Sequence, residues 1–145
     1  LVDDGIYEIE PIAAPGKRLD VQWGSKDAGA RVWLYSANGS SAQKWRVSHD
    51  AQGYVILTNV GSGKVLDVYG ASKAFGTKVT QQPANGTHAQ KWMVVETDNG
   101  DLAIGSAVAP LLFLDLEGGR NTDGTPLQTY GYNGSKAQRF RFIKQ

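Results

Sequence analysis

Gly16–Trp45 reads GKRLDVQWGSKDAGARVWLYSANGSSAQKW, and two later stretches repeat it. Gly63–Trp92 reads GKVLDVYGASKAFGTKVTQQPANGTHAQKW, and Pro110–Phe140 reads PLLFLDLEGGRNTDGTPLQTYGYNGSKAQRF. Asp20, Asp67 and Asp115 fall in register, as do Gln43, Gln90 and Gln138, at steps of 47 and 48 residues. Three units, about 1–49, 50–96 and 97–145, fill the chain as a single domain. A polar residue repeated among repeated apolar ones means one structural unit used three times, with a binding site available up to three times.

Within each unit the signals are those of short strands. Eighteen glycines, five prolines and several Asn-Gly and Asp-Gly pairs punctuate apolar runs, and no window sustains a helical period. In the first unit, strands are expected near Ile6–Glu10, Arg18–Gln22, Arg31–Tyr35 and Lys44–Ser48. The second unit places them near Tyr54–Thr58, Val65–Tyr69, Thr77–Gln81 and Lys91–Val95, and the third near Asp101–Gly105, Phe113–Glu117, Pro126–Tyr130 and Arg139–Ile143. Twelve strands in three fourfold units predict an all-β, closed, pseudo-threefold barrel. A β-propeller also repeats four strands, but a ring of blades needs at least four to close.

Composition narrows the functions. Fifteen basic residues against fourteen acidic ones leave a net charge of +1, so there is no electrostatic footprint for nucleic acid or an anionic membrane surface. Arg139, Arg141 and Lys144 alternate with Phe140, Phe142 and Ile143 as in a half-exposed final strand. The chain has no cysteine, and no apolar run reaches membrane-spanning length, so no membrane insertion is expected. LVDDGIYEIEP at the start is not a signal peptide and there is no initiator Met, so the chain is expected to be part of a longer protein linked to other domains. There is no HExxH, no GxSxG and no phosphate-cradling loop; Gly61-Ser62-Gly63 is a turn. No catalytic residue, metal or cofactor is therefore expected. The three Asp residues recur once per unit, whereas glycoside hydrolysis needs an adjacent carboxyl pair.

Gln43–Trp45 and Gln90–Trp92 read Gln-x-Trp, Gln138–Phe140 reads Gln-Arg-Phe, and Leu-Asp-Val or Leu-Asp-Leu precedes each at a fixed offset. This pattern, over roughly the whole chain, resembles the QxW signature of ricin-B-type β-trefoil lectins, which include family 13 carbohydrate-binding modules of bacterial secreted proteins. The resemblance implies a β-trefoil of three pseudo-symmetric four-stranded repeats. It further implies a lectin domain, secreted or at the cell surface, that targets an attached enzyme, toxin or adhesin to glycans, galactose-type sugars foremost. The alternative is a β-trefoil that contacts proteins and carries degenerate sugar pockets.

Strand alternation divides the labour around each Asp. Leu19 and Val21 face one way and Asp20 the other, and Leu66/Val68 and Leu114/Leu116 do the same around Asp67 and Asp115. The apolar positions, with Trp45, Trp92 and Phe140, read as core. A carboxylate on the outer face can accept hydrogen bonds from neighbouring sugar hydroxyls while a nearby ring stacks on the sugar's apolar face. An Asp repeated three times can equally brace the following loop through backbone N–H groups. Eight residues before each Gln stand Tyr35, Gln82 and Tyr130, so the first and third units keep a ring and the second does not. Leu127-Gln128-Thr129-Tyr130 best matches the family's third-strand run.

Where many family members place Asn before the QxW Gln, this chain has Ala42, Ala89 and Ala137. Asn38, Asn85 and Asn133, five residues before each Gln, stand in for it or else simply form Asn-Gly turns. Each also opens an Asn-Gly-Ser/Thr sequon, which shared turn chemistry explains better than glycan attachment. The Gln residues read mainly as loop clamps, since a buried amide must be satisfied. The candidate carbohydrate-binding set is therefore Asp20, Trp33, Tyr35, Asn38 and Gln43 in the first unit, and Asp115, Gln128, Tyr130, Asn133 and Gln138 in the third. A less complete set is Asp67, Tyr69, Asn85, His88 and Gln90 in the second. Trp23 and Tyr69 read as pocket walls or as cover for the barrel, and His49 as a solvated turn residue.

Overall fold

The computed structural model describes residues 1–145 as twelve β-strands joined by turns, six of which wind into a single 3-10 turn. The first unit contributes β1 (Gly5–Pro11), β2 (Lys17–Val21), β3 (Val32–Ser36) and β4 (Trp45–His49). The second contributes β5 (Val55–Asn59), β6 (Val65–Val68), β7 (Thr77–Gln82) and β8 (Trp92–Glu96). The third contributes β9 (Leu102–Ser106), β10 (Leu112–Leu116), β11 (Leu127–Gly131) and β12 (Phe140–Lys144). Every strand matches its expected span to within one residue at either end, and the fourth strand of each unit starts one residue late for a local reason. Gln43, Gln90 and Gln138 each close a 3-10 turn, and the next residue's N–H still bonds back into that turn.

Strand pairing closes on itself. β1 pairs with β4, β4 with β5, β5 with β8, β8 with β9, β9 with β12, and β12 returns to β1. This ring of six has no free edge to template aggregation. The remaining strands form three hairpins, β2–β3, β6–β7 and β10–β11. Three equivalent hydrogen bonds lace the hairpins together. The N–H groups of Gly29, Gly76 and Gly124 donate to the carbonyls of Gln81, Thr129 and Leu34 at 2.8, 2.8 and 2.7 Å. Each of these glycines has a φ between +84° and +89°, which a side chain would strain.

The core fills the space between ring and hairpins. Trp45, Trp92 and Phe140 are fully buried in one cluster with Leu19, Leu66 and Leu114, as the repeat predicts. A buried indole N–H needs an acceptor. Trp45 and Trp92 find it in the carbonyls of Leu19 and Leu66, both at 3.2 Å. Phe140 has no N–H to satisfy. The Trp92→Ala variant is expected to lose about 3–5 kcal/mol of unfolding free energy, as large-to-small core changes do. Equilibrium urea denaturation measures it, and an unshifted midpoint would mean that this ring does not hold the core together.

Candidate functional site

The second strand of each unit carries the site's floor. Leu19 and Val21 go into the core as alternation requires, but the opposite face is not open to water. Asp20, Asp67 and Asp115 are only 5%, 6% and 4% exposed. The outer-face carboxylate expected from periodicity is corrected here: alternation gives direction, not what roofs the strand. The roof is the 3-10 turn that ends in Gln. Gln43 donates to Asp20 Oδ2 at 2.8 Å and to the Ser36 carbonyl at 3.0 Å, and accepts the Asn38 N–H at 3.0 Å. Gln90 repeats this with Asp67 (2.9 Å), Pro83 (2.9 Å) and Asn85 (2.8 Å). Gln138 repeats it with Asp115 (2.9 Å), Gly131 (2.9 Å) and Asn133 (2.8 Å). All three Gln side chains are buried, so the loop-clamp reading holds. Their inclusion among sugar-contacting residues is corrected, because they sit behind the carboxylate they orient.

The second carboxylate oxygen distinguishes the units. Asp20 Oδ1 accepts the Trp33 indole N–H at 2.9 Å, and Asp115 Oδ1 accepts the Gln128 amide at 3.1 Å. Thr80 holds the equivalent place opposite Asp67 and makes no hydrogen bond to it. Burial is the largest influence on all three carboxyls and holds each above the ordinary Asp range, against the opposing pull of the Gln amides. A folded value above the unfolded one means the folded state binds the proton better. These groups therefore favour folding most at low pH, and that contribution is lost as pH rises through the raised folded values. Three charged, buried carboxylates are thus a standing cost at neutral pH.

Two clefts open over two of these floors. The first, about 320 Å³, is lined by Asp20, Trp23, Lys26, Trp33, Tyr35 and Asn38, with Ser40 and Ser41 at its rim. The second, about 410 Å³, lies in the third unit between Asp115, Gly118, Gly119, Gln128, Tyr130 and Asn133. The structure therefore brings together the first-unit set Asp20, Trp33, Tyr35 and Asn38, and the third-unit set Asp115, Gln128, Tyr130 and Asn133. Asn38 and Asn133 also serve the turn, since each side-chain oxygen accepts the N–H two residues on at 2.9 Å. Asn85 does the same with Thr87 at 3.0 Å. Turn and rim are compatible, because the oxygen holds the turn and the amide N–H groups are left over.

In the second-unit set Gln90 joins Asp67 and Asn85, but Tyr69 and His88 are engaged elsewhere. Lys78 Nζ sits 4.2 Å from the Tyr69 ring centroid and covers that face. His88 leans on Tyr54 at 6.1 Å, and neither Thr80 nor Gln82 offers a ring. His49 pairs with Asp4 at 2.6 Å. Trp23, read from the sequence as a pocket wall or as cover for the barrel, lines the first cleft. It is 77% exposed and stands edge-on to Trp33, with ring centroids 4.9 Å apart and planes 69° apart. Trp33 in turn stacks on Tyr35 at 5.6 Å and 22°. Gly70 and Gly118 occupy the equivalent sites of the other units.

A buried carboxylate, a ring wall and an amide rim, placed by a repeated strand-and-turn unit, describe a lectin-type binding domain. The model of the ricin-type beta-trefoil lectin domain-like family matches residues 1–82 and 42–130, and the chain belongs to that family. Among solved structures it is similar to ThreeFoil, a designed threefold-symmetric protein, at 33% identity and a TM-score of 0.93, covering 98% of this chain and 100% of that one. The Rhizoctonia solani agglutinin shares 26% identity at a TM-score of 0.90, with 100% and 98% covered. An exo-β-1,3-galactanase from Clostridium thermocellum shares 29% identity at a TM-score of 0.90, over 100% of this chain and 31% of the enzyme. No curated sequence matches the chain.

Gln138→Ala would leave Asp115 Oδ2, the Gly131 carbonyl and the Asn133 N–H without their partner. A loss of about 3 kcal/mol in unfolding free energy is expected, since orphaned buried polar groups cost about 1–3 kcal/mol and charged ones more. Guanidinium denaturation reads it; a wild-type midpoint would show that those groups find other partners.

Proposed function

We propose that this single β-trefoil domain of three pseudo-equivalent units is a non-catalytic carbohydrate-binding module with working sites in its first and third units. The observation that carries the reading is the pair of clefts, each with an oriented carboxylate at the floor and an aromatic wall beside it. Neighbouring hydroxyls of one pyranose donate to the carboxylate, the sugar's apolar face stacks on Tyr35 or Tyr130, and the Asn amides close the rim. Galactose-type sugars are the proposed ligands, supported by the family resemblance and by likeness to a galactanase. That relative also supports a targeting role, in which the domain holds an attached enzyme, toxin or adhesin on glycans outside the cell. A specific observation favours a second reading as a protein-contact domain. Phe75, Leu111, Tyr130 and Tyr132 are all exposed along the boundary of the second and third units.

A glycan array followed by calorimetry decides between them. Monosaccharide is expected at one or two sites with a dissociation constant of about 0.1–1 mM, and a multivalent galactoside should bind far more tightly through joint engagement. Tyr130→Ala and Tyr35→Ala should each remove one site with the fold intact. They are cleaner probes than Asp115→Ala or Asp20→Ala, which weaken binding but also strand a buried Gln. An array with no bound glycan hands the domain to the protein-contact reading, and three equal sites would mean that Asp67 works without a ring.

Acid should weaken binding early. Only the ionised carboxylate accepts from two hydroxyls, and burial raises the pH at which Asp20 and Asp115 take up a proton. Affinity is expected to fall on acidification while the pH is still above the ordinary Asp value of about 4. Calorimetry from pH 7 downward, with tryptophan fluorescence reporting the fold, tests this; flat affinity to pH 4 would remove the carboxylate from the contact.

A further inference from the structure

Trp23 occupies a backbone position that the fold otherwise gives to glycine. It sits at φ +58°, ψ +20° in the turn after β2. The same turn holds Gly70 at φ +62° and Gly118 at φ +64° in the other units. A Cβ in that region crowds the following carbonyl oxygen, so a large L-residue is held there against its own preference. Within the chain the edge contact with Trp33 offsets part of that cost. The ring is 77% exposed, and its indole N–H takes part in none of the side-chain hydrogen bonds that order the cleft. What the position does achieve is to stand the ring at the mouth of the first cleft. Trp33 and Tyr35 form a nearly flat wall above Asp20, and Trp23 turns a corner from it at 69°. A pyranose stacked on that wall with its hydroxyls on Asp20 leaves the Trp23 ring free, within reach of the next residue of a sugar chain.

We propose that Trp23 is the outer subsite of the first cleft, stacking the second residue of a disaccharide whose terminal residue lies over Asp20. The third cleft has Gly118 at this place and takes the terminal residue alone. The two sites therefore differ in ligand length, the first reading two sugars and the third one. This inference rests on the carbohydrate reading.

The test uses methyl β-galactoside and lactose, titrated by calorimetry into Tyr130→Ala, whose third cleft is silenced, and into Tyr130→Ala/Trp23→Gly. In the parent variant lactose is expected to bind about tenfold more tightly than methyl galactoside, the scale of one added stacking contact. Adding Trp23→Gly should collapse that preference, so that lactose binds no better than methyl galactoside. The thermal midpoint should stay level or rise, because glycine accepts the turn without strain. Equal binding of the two sugars by the parent, or a lactose preference that survives Trp23→Gly, overturns the outer subsite and leaves the carbohydrate reading standing. A midpoint that drops on Trp23→Gly shows that the ring serves the fold and overturns the inference as well. Failure of the wild-type chain to bind either sugar, or any glycan on the array, removes the carbohydrate reading and the inference with it.

Discussion

The hydrogen bond from a buried Gln amide to a buried Asp carboxylate is the constraint on which the rest depends. It recurs as Gln43–Asp20, Gln90–Asp67 and Gln138–Asp115 at 2.8–2.9 Å. The Asp backbone belongs to a strand whose neighbours enter the core, and the Gln ends the turn that launches the next core aromatic. One side-chain contact therefore locks a loop, a hairpin and the barrel into a fixed relation. It also fixes the carboxylate before any ligand arrives, which spares a binding partner the cost of ordering it. A charged group at that depth is tolerable only because its hydrogen bonds are met.

On this shared frame the units diverge where side chains leave the frame. Opposite the Asp stand Trp33, Thr80 and Gln128, and two residues further on Tyr35, Gln82 and Tyr130. The first unit becomes an aromatic cleft, the third pairs an amide with a ring, and the second loses its ring while Lys78 covers Tyr69. None of these differences disturbs the Gln–Asp contact. Frame and decoration thus vary independently, which lets one fold carry unlike sites.

The strands were legible because glycine and Asn-Gly punctuation marks their ends and a period of two marks their faces. Trp45, Trp92 and Phe140 were legible as core for the same reason. The depth of Asp20 was not, because its cover comes from a turn 23 residues away. The Gln residues were legible as loop clamps, but not their place behind the carboxylates, which the 3-10 turn sets. Gln81 escaped notice altogether. It is buried and donates to the Ser25 and Asp27 carbonyls more than fifty residues back, a pairing that no local pattern announces. Trp23 was visible as a residue but not as a backbone anomaly, since left-handed geometry becomes apparent only once the turn is built.

The three glycine N–H groups that lace the hairpins set how many units the fold takes to close. Each unit offers one donor to the next and takes one from the previous, in a cycle of three. One unit alone ends with an unmet donor and an unmet acceptor, and two units still leave one of each. Only the third closes the cycle. A closed lacing therefore takes three units, and the present chain carries all three end to end. Because the three are joined in one chain, each unit can differ from its partners, and one carries a bulky Trp in a left-handed turn where the other two have glycine.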